Sequence, residues 1–542
     1  MVASFSPPGP GSWALDRSHF PEGATPISQW MMESAMEAGM RRAFAEVGVP
    51  ADSLQARFVE GFMYTRLRPL IAPDKAAARL PPEFVLRIAT RVHPGFRARR
   101  RAAGAALANR PWNAVLERWR VELRPTIVAT NVRLQNVDVD ALDDAALDRH
   151  VGELLDHGRD MAELHFWLHG YDLGPIARFL HHAIAAGVPA ERAIRALANA
   201  SPSTSAPLVR LVALRRIIDA AGARPSTLDE VRAVSPEATA LLAEHLAERG
   251  HRVVTRYDID GLTLQELPGM LLRSIIDAEV PVVESHESAI ADVMATASPA
   301  QRAALAELLE DARSVMDMRD DNGPLTCQWP AGLLRRGVLA SGARLASAGR
   351  ASEADHAFEL TPDEARVALA TGGPGAAELA RRASARAAAS LLTPPTTLGP
   401  AEPPPPLSVL PPPLDEMVAM VQTAIALMGM AGAESADGLT GVGIGSATYR
   451  GRVRRASTPE EAIEAMESGD VLVVRATSPS FNAVLMIAGA VVTADGGALS
   501  HAAVLARELG IPAVIGATGA LDLADGAIVE VDPVLGCVRV VG

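Results

Sequence analysis

Through the first 390 or so residues, apolar positions recur at three- and four-residue intervals, with charges falling between them in alanine-rich stretches. That period predicts helices over 31–46, 145–168, 174–186, 206–221, 237–248, 300–316 and 375–391. Residues 57–69 (RFVEGFMYTRLRP) break the pattern: aromatics flank Gly61, as in a strand or hairpin. The run ASPSTS at 200–205 marks a break that could divide the helical region in two. Beyond residue 440 the period shortens. Strand-like runs at 445–453, 471–476, 490–493, 513–515 and 528–541 alternate with helices expected over 459–467, 481–488 and 500–509, the signature of a compact α/β domain of ordinary size.

Between the two patterns lies a segment, 394–413, in which ten of twenty residues are proline. Proline lacks the N–H that helices and sheets need and favours extended polyproline II. The segment reads equally as a semi-rigid tether or as an ordered strap on the surface. The organisation expected is a mostly helical region over 1–393, the proline-rich segment 394–413, a connecting helix over 414–439 and an α/β domain over 440–542. The fold class is therefore mainly α and multi-domain, as a chain of 542 residues, too long for one core, implies.

Composition narrows the chemistry. A net charge of −13 argues against nonspecific nucleic-acid binding, which needs a basic face. Cys327 and Cys537 are the only cysteines, too few for a disulfide framework or thiolate metal site, so a reducing cytoplasm is expected. Residues 1–13 lack the basic and apolar regions of a signal peptide, and the uncharged run 417–433 is too short and polar to span a bilayer. Lys75 is the only lysine, and no P-loop motif occurs, so no ATP site is expected in this chain.

The stretch Asp495-Gly-Gly-Ala-Leu-Ser-His-Ala-Ala-Val-Leu-Ala-Arg-Glu-Leu-Gly-Ile-Pro carries the chemistry. Gly496 and Gly497 permit a sharp turn, Ser500 caps a helix whose first turn holds His501, and Gly510 with Pro512 ends it. A helix N-terminus offers free N–H donors and partial positive charge. A phosphoryl group on His501 would find donors there, and imidazolium would be disfavoured, leaving a neutral nucleophile.

This stretch resembles the phosphohistidine signature shared by phosphoenolpyruvate synthase, pyruvate phosphate dikinase, the first enzyme of the sugar phosphotransferase system and rifampicin phosphotransferase. The likeness extends to Gly469-Asp470 through Val474, to Thr477-Ser478-Pro479, to Ala488 through Thr493, and to Asp525-Gly526, Val531-Asp532 and Gly536. It implies a swivelling β/β/α phosphohistidine domain, with His501 as the phosphorylated residue and Gly496, Gly497, Ser500 and Ala502 supporting the phosphate. Leu499 stands where phosphoenolpyruvate-handling members have Ser or Thr, closer to the rifampicin-phosphotransferase branch. Domain order resembles that enzyme without its ATP-grasp domain, since the chain ends at Gly542 where a phosphoenolpyruvate-binding barrel would otherwise follow.

The resemblance further implies a phosphotransferase in two parts. A separate ATP-grasp protein, using ATP and Mg²⁺, would phosphorylate His501, and the helical region 1–393 would present a hydroxylated small-molecule acceptor. Met318-Arg319-Asp320, Gly332 through Arg335 and Phe358 through Glu364 are similar to its acceptor side. Arg319 matches an arginine expected to face the phosphoryl group, whereas Gly323 replaces the lysine expected four residues on. His165 and His169 share one helix face and read as structural histidines, as pocket lining or general base, or as metal ligands; no third ligand is evident, and no metal is expected. His181 and His182 suit a pocket edge or a helix surface. Arg66 and Arg68 could bind phosphate or form surface ion pairs. The cluster Arg97, Arg99, Arg100 and Arg101 suits a solvated face or a docking site for the ATP-binding partner. The rival activities are an ATP-dependent dehydratase or condensing enzyme using a transient phosphorylated acceptor, and a regulatory phosphocarrier.

Overall fold

The structure, a computed structural model, describes residues 5–16, 19–76, 80–279, 286–428, 439–477 and 481–541. Residues 1–4, Arg17, Ser18, most of the connecting segment beyond 428, and Ser478 and Pro479 of the 477–479 motif lie outside the described residues. The chain forms two compact units that do not follow the sequence segments. One comprises 1–172, 257–261 and 322–419; the other comprises 173–256, 262–321 and 420–542.

In the first unit a four-stranded antiparallel sheet has the order β2-β3-β1-β4, with β1 Trp13–Leu15, β2 Ala51–Val59, β3 Phe62–Pro69 and β4 Thr397–Leu398. The segment expected to be strand-like is the β2–β3 hairpin, turned at Glu60 and Gly61, both at positive φ. The helix Pro26–Val47 packs beside it, and its apolar face meets Phe20, Ala56, Met63, Ala162 and Phe166. The proline-rich segment lies on this unit as a strap. Thr397 and Leu398 pair with β1, the Tyr64 hydroxyl donates to the Pro395 carbonyl at 2.8 Å, and Val409 and Leu410 are buried with Ala103 and Leu414.

Helices appear at Pro26–Val47, Pro202–Ala220, Pro236–Arg249, Pro299–Ser314 and Ala376–Ser390, near their expected positions. The two helices expected over 145–168 and 174–186 are instead one helix, Asp144–Ala185, with Pro175 inside it. Proline costs an interior helix about 3 kcal/mol. Burial of Phe166, Trp167, Leu168 and Tyr171 before it, and of Ile176, Phe179 and Leu180 after it, outweighs that. The 200–205 break is not a unit boundary; it is the turn into the helix Pro202–Ala220, with Ser201 at its N-cap.

The second unit joins helices between 173 and 321 to the C-terminal α/β domain. A seven-stranded sheet has the order β11-β10-β6-β7-β8-β9-β5. The strands are β5 Val442–Ile444, β6 Tyr449–Arg455, β7 Val471–Val474, β8 Ala490–Thr493, β9 Ala513–Ile515, β10 Ile528–Asp532 and β11 Cys537–Val540. β6 to β9 are parallel to one another, and β5, β10 and β11 add antiparallel edges. The run expected over 528–541 is thus a hairpin. Because side chains alternate along a strand, Val471, Val473, Val492 and Val514 enter one core, while Leu472, Val474, Val491 and Ile515 enter the other. Both faces are covered, which explains why these strands are continuous apolar runs. The second core is shared with Leu211, Leu214, Leu242, Met270 and Leu271 of the helical part of this unit.

Candidate functional site

In an open parallel sheet, ligand sites form where loops leave the carboxyl ends of the strands. β7 and β8 are neighbours, and the loops that follow them hold His501 between them. The chain turns after β8 at Gly496, whose φ of 120° only glycine adopts readily; an added Cβ would lie 3.1 Å from Ser500 Oγ. Gly497 accepts the Ser500 N–H at 2.9 Å, and Ser500 caps the helix His501–Leu509 by accepting the Ala503 N–H at 3.4 Å. Gly510, left-handed at φ 68°, ends it.

His501 therefore occupies the first helical position. Its Nδ1 lies 2.8 Å from Thr477 Oγ1, on the loop after β7, and its Nε2 lies 2.7 Å from Asn482 Oδ1, at the start of the short helix Asn482–Leu485. Both ring nitrogens are held by neutral groups, so the ring is oriented without a carboxylate to stabilise imidazolium. Burial, then the positive charge of Arg319, pushes the imidazole down to about 3. The backbone N–H groups of Gly497, Ala498, His501 and Ala502 find no acceptor among the described residues. The ring is thus neutral at physiological pH and sits beside open N–H donors, as a phosphoryl-carrying nucleophile requires.

Arg319 lies in the same unit, on the helix Met316–Gly323. Its half-buried guanidinium makes no hydrogen bond or ion pair among the described residues, and its charge acts on both His501 and Asp320. Burial raises the Asp320 carboxyl above its usual range, against the opposing influence of Arg319 and of the Thr204 and Ser201 hydroxyls. Thr204 Oγ1 donates to Asp320 at 2.9 Å, and the Ser203 N–H donates to Asp317 at 2.8 Å. The 200–205 segment is thus bonded to the Arg319 helix. Thr477, Asn482, Asp320 and Thr204 were not singled out from sequence as site residues. Thr477 had a signal, the 477–479 motif; Asn482 and Thr204 had none, because their partners are distant in the chain.

His165 and His169 lie in the other unit. Their Nε2 atoms are 3.1 Å apart. His169 Nδ1 faces the buried Asp172 carboxylate at 3.2 Å, and His165 Nδ1 faces Thr326 Oγ1 at 3.3 Å. Burial, and then His169, pushes His165 well below the usual imidazole range. Among the described residues no third His, Cys, Asp or Glu ligand atom joins the pair. Arg66 is buried, bonded to the Pro73 and Lys75 carbonyls and 3.6 Å from Glu402; Arg68 pairs with Asp52 and Asp74. Neither is a phosphate site. Arg97, Arg100 and Arg101 are exposed, with Arg100 donating to the Pro412 carbonyl. His181 meets Thr423 at 3.1 Å, and its ring lies against that of His182.

Residues 466–536, which contain His501, match the family described as PEP-utilising enzyme, mobile domain. The chain is 52% identical over 83 residues to a phosphoenolpyruvate synthase of Aeropyrum pernix, which is 15% of this chain and 10% of that protein. It is 45% identical over 83 residues to a phosphoenolpyruvate synthase of Neisseria meningitidis, again 15% of this chain and 10% of the relative. A Bacillus subtilis phosphotransferase, YvkC, matches at 49% over 74 residues, 14% of this chain and 9% of the relative. The chain thus spans about a tenth of the length of these relatives, and the likeness is confined to a short stretch. Within that stretch the match and the geometry around His501 agree: the C-terminal α/β domain of this chain belongs to the mobile domains of the PEP-utilising enzymes.

Proposed function

We propose that this chain is the phosphoryl-carrying and acceptor-binding part of a split ATP-dependent phosphotransferase. The observation that carries the reading is a neutral, doubly anchored His501 at a helix N-terminus with an unpaired guanidinium, that of Arg319, acting on it. In the first half-reaction the free ring nitrogen attacks a phosphoryl phosphorus, and the bond from phosphorus to the nucleotide oxygen breaks. In the second, an acceptor hydroxyl oxygen attacks the same phosphorus, the P–N bond breaks, and the hydroxyl proton passes to a base. The open N–H donors at Gly497, Ala498, His501 and Ala502 bind the phosphate, and Arg319 neutralises the charge that spreads over its oxygens. Asp320, beside Arg319, and the His165/His169 pair backed by Asp172 are the proposed bases.

ATP and Mg²⁺ belong, in this reading, to an ATP-grasp protein outside these 542 residues, supported by the single lysine and the missing P-loop motif. The acceptor is a hydroxylated small molecule, and the compartment is cytoplasmic. Among the described residues no helix is long and apolar enough to cross a membrane. The test supplies labelled ATP and the ATP-grasp partner. An acid-labile, base-stable label should appear on His501; label retained by His501→Ala sinks the proposal. Arg319→Gln should slow transfer from phospho-His501 to the acceptor while sparing its phosphorylation, and the reverse split would move Arg319 to the donor side. Micromolar ATP affinity of the isolated chain by calorimetry would contradict the division into two proteins.

A further inference from the structure

Behind the His501 helix, within the second unit, lies a cavity of about 190 Å³ that the phosphotransfer chemistry above does not use. It forms where the α/β domain meets the helices Ala190–Arg195 and His286–Thr296, and it is lined by Arg195, Arg507, His286, Glu191 and the loop Gly445-Ser446-Ala447. Two guanidiniums face one small space. Each sits where the other's charge is felt: burial, chiefly, and the neighbouring Arg195 hold Arg507 down to about 10, although Glu508 and Glu191 oppose this. Arg507 stays cationic at neutral pH. Arg195 is only partly neutralised, through Glu191 at 3.2 Å, whose carboxylate is half exposed. Among the described residues the N–H groups of Gly445, Ser446 and Ala447 and the Ser446 hydroxyl have no acceptor or donor partner, so the rim presents donors as well as positive charge. Like charges converging on a walled cavity beside open donors are relieved by an anion that accepts from both.

We infer that this cavity is a binding site for a small phosphate-bearing or phosphate-like oxyanion, held by Arg195, Arg507 and the Gly445–Ala447 loop, and distinct from the His501 centre. The volume suits inorganic phosphate or a compact phosphorylated metabolite and excludes a nucleotide. The site is wired to the loop that positions His501. Arg507 Nη2 donates to the Ala498 carbonyl at 2.9 Å, three residues before His501. Its neighbour Glu508 accepts the Asn199 N–H at 3.1 Å, from the turn after the Arg195 helix. Its walls come from both the α/β domain and the helical part of this unit, so an occupant bridges them and stabilises that packing.

The experiment titrates inorganic phosphate into the full chain by calorimetry, with chloride at equal ionic strength as the control. One phosphate per chain is expected, with a rise in melting temperature. Arg195→Gln, at a partly exposed position where misfolding is not expected, should weaken binding by about tenfold, the loss typical of one charge-assisted contact. Ser446→Pro, which removes a loop N–H on the rim, should weaken it independently. Arg319→Gln and His501→Ala should bind phosphate as the wild type does. Binding that vanishes in those two variants but survives Arg195→Gln would place the phosphate at the His501 centre and overturn the inference. So would the absence of any saturable phosphate binding up to 10-fold above ~1 mM, the weak end of small-ligand affinity. Neither result touches the labelling of His501, so the two proposals fail separately.

Discussion

Replacing His501 by Gln tests the electrostatics of the site through stability. In the folded chain burial and Arg319 push the imidazole from 6.5 down to about 3, whereas an unfolded chain restores the ordinary value. The unfolded state therefore binds a proton that the folded state refuses. Stability contributed by this ring is intact above pH 6.5 and falls as the pH drops toward 3. At ~1.4 kcal/mol per unit, the loss is about 2 kcal/mol at pH 5 and levels off at roughly 4–5 kcal/mol near pH 3. Urea unfolding at pH 7.5 and pH 5 measures it. The wild type should lose about 2 kcal/mol more than His501→Gln between those two conditions. His157, pushed down to about 4, and His245, to about 3, also destabilise in acid, but they are present in both proteins and cancel. Ring NMR of labelled histidine provides a direct check: the His501 signals should not titrate between pH 8 and pH 5. A midpoint near 6.5, or equal acid losses in the two proteins, would refute the reasoning, because the ring would then be solvated rather than buried.

Three further outcomes follow from the packing. Gly496→Ala forces a Cβ onto a φ of 120° and within 3.2 Å of Ile515 Cγ2 and Ser500, so phosphorylation of His501 should fall steeply while far-UV circular dichroism is unchanged; full labelling would show that the turn is not needed to aim the ring. Asp258 accepts from Thr25 N–H and Oγ1, Ser28 Oγ and the Ile259 N–H at 2.5–2.6 Å, so Asp258→Ala should cost about 3 kcal/mol in urea unfolding. A loss below ~0.5 kcal/mol would mean that water replaces the carboxylate without penalty. Leu472→Ala, fully buried in the core shared by sheet and helices, should cost about 2–5 kcal/mol, and a smaller value would show that the cavity collapses.

The C-terminal domain was legible because its physics is local. The runs VLVV at β7, AVVT at β8 and AVI at β9 are apolar on both alternations, which only a doubly covered strand tolerates. Gly496, Ser500 and Gly510 each do in the structure what their residue types allow: turn, cap and terminate. β5 escaped notice because Val442–Ile444, with glycine at its centre, is short and pairs only through β9. The long helix Asp144–Ala185 was divided in the sequence by Gly174 and Pro175, since a local rule cannot weigh a proline penalty against burial of side chains on both sides of it.

From the order of residues alone came the helical and α/β segments, the nucleophile at a helix start, and the expectation that His501 is neutral. These depend on neighbours within one turn or one strand. Only the tertiary structure decided which residues meet His501. Thr477 and Asn482 reach it from 24 and 19 residues away, and Arg319 acts on it from far earlier in the chain. The same holds for the two units, whose boundaries cut across the sequence segments, and for the Arg195–Arg507 cavity. Such groupings arise from chain crossings that bury apolar surface between distant segments; burial depends on the area removed from water, not on separation along the chain, so no local pattern records them.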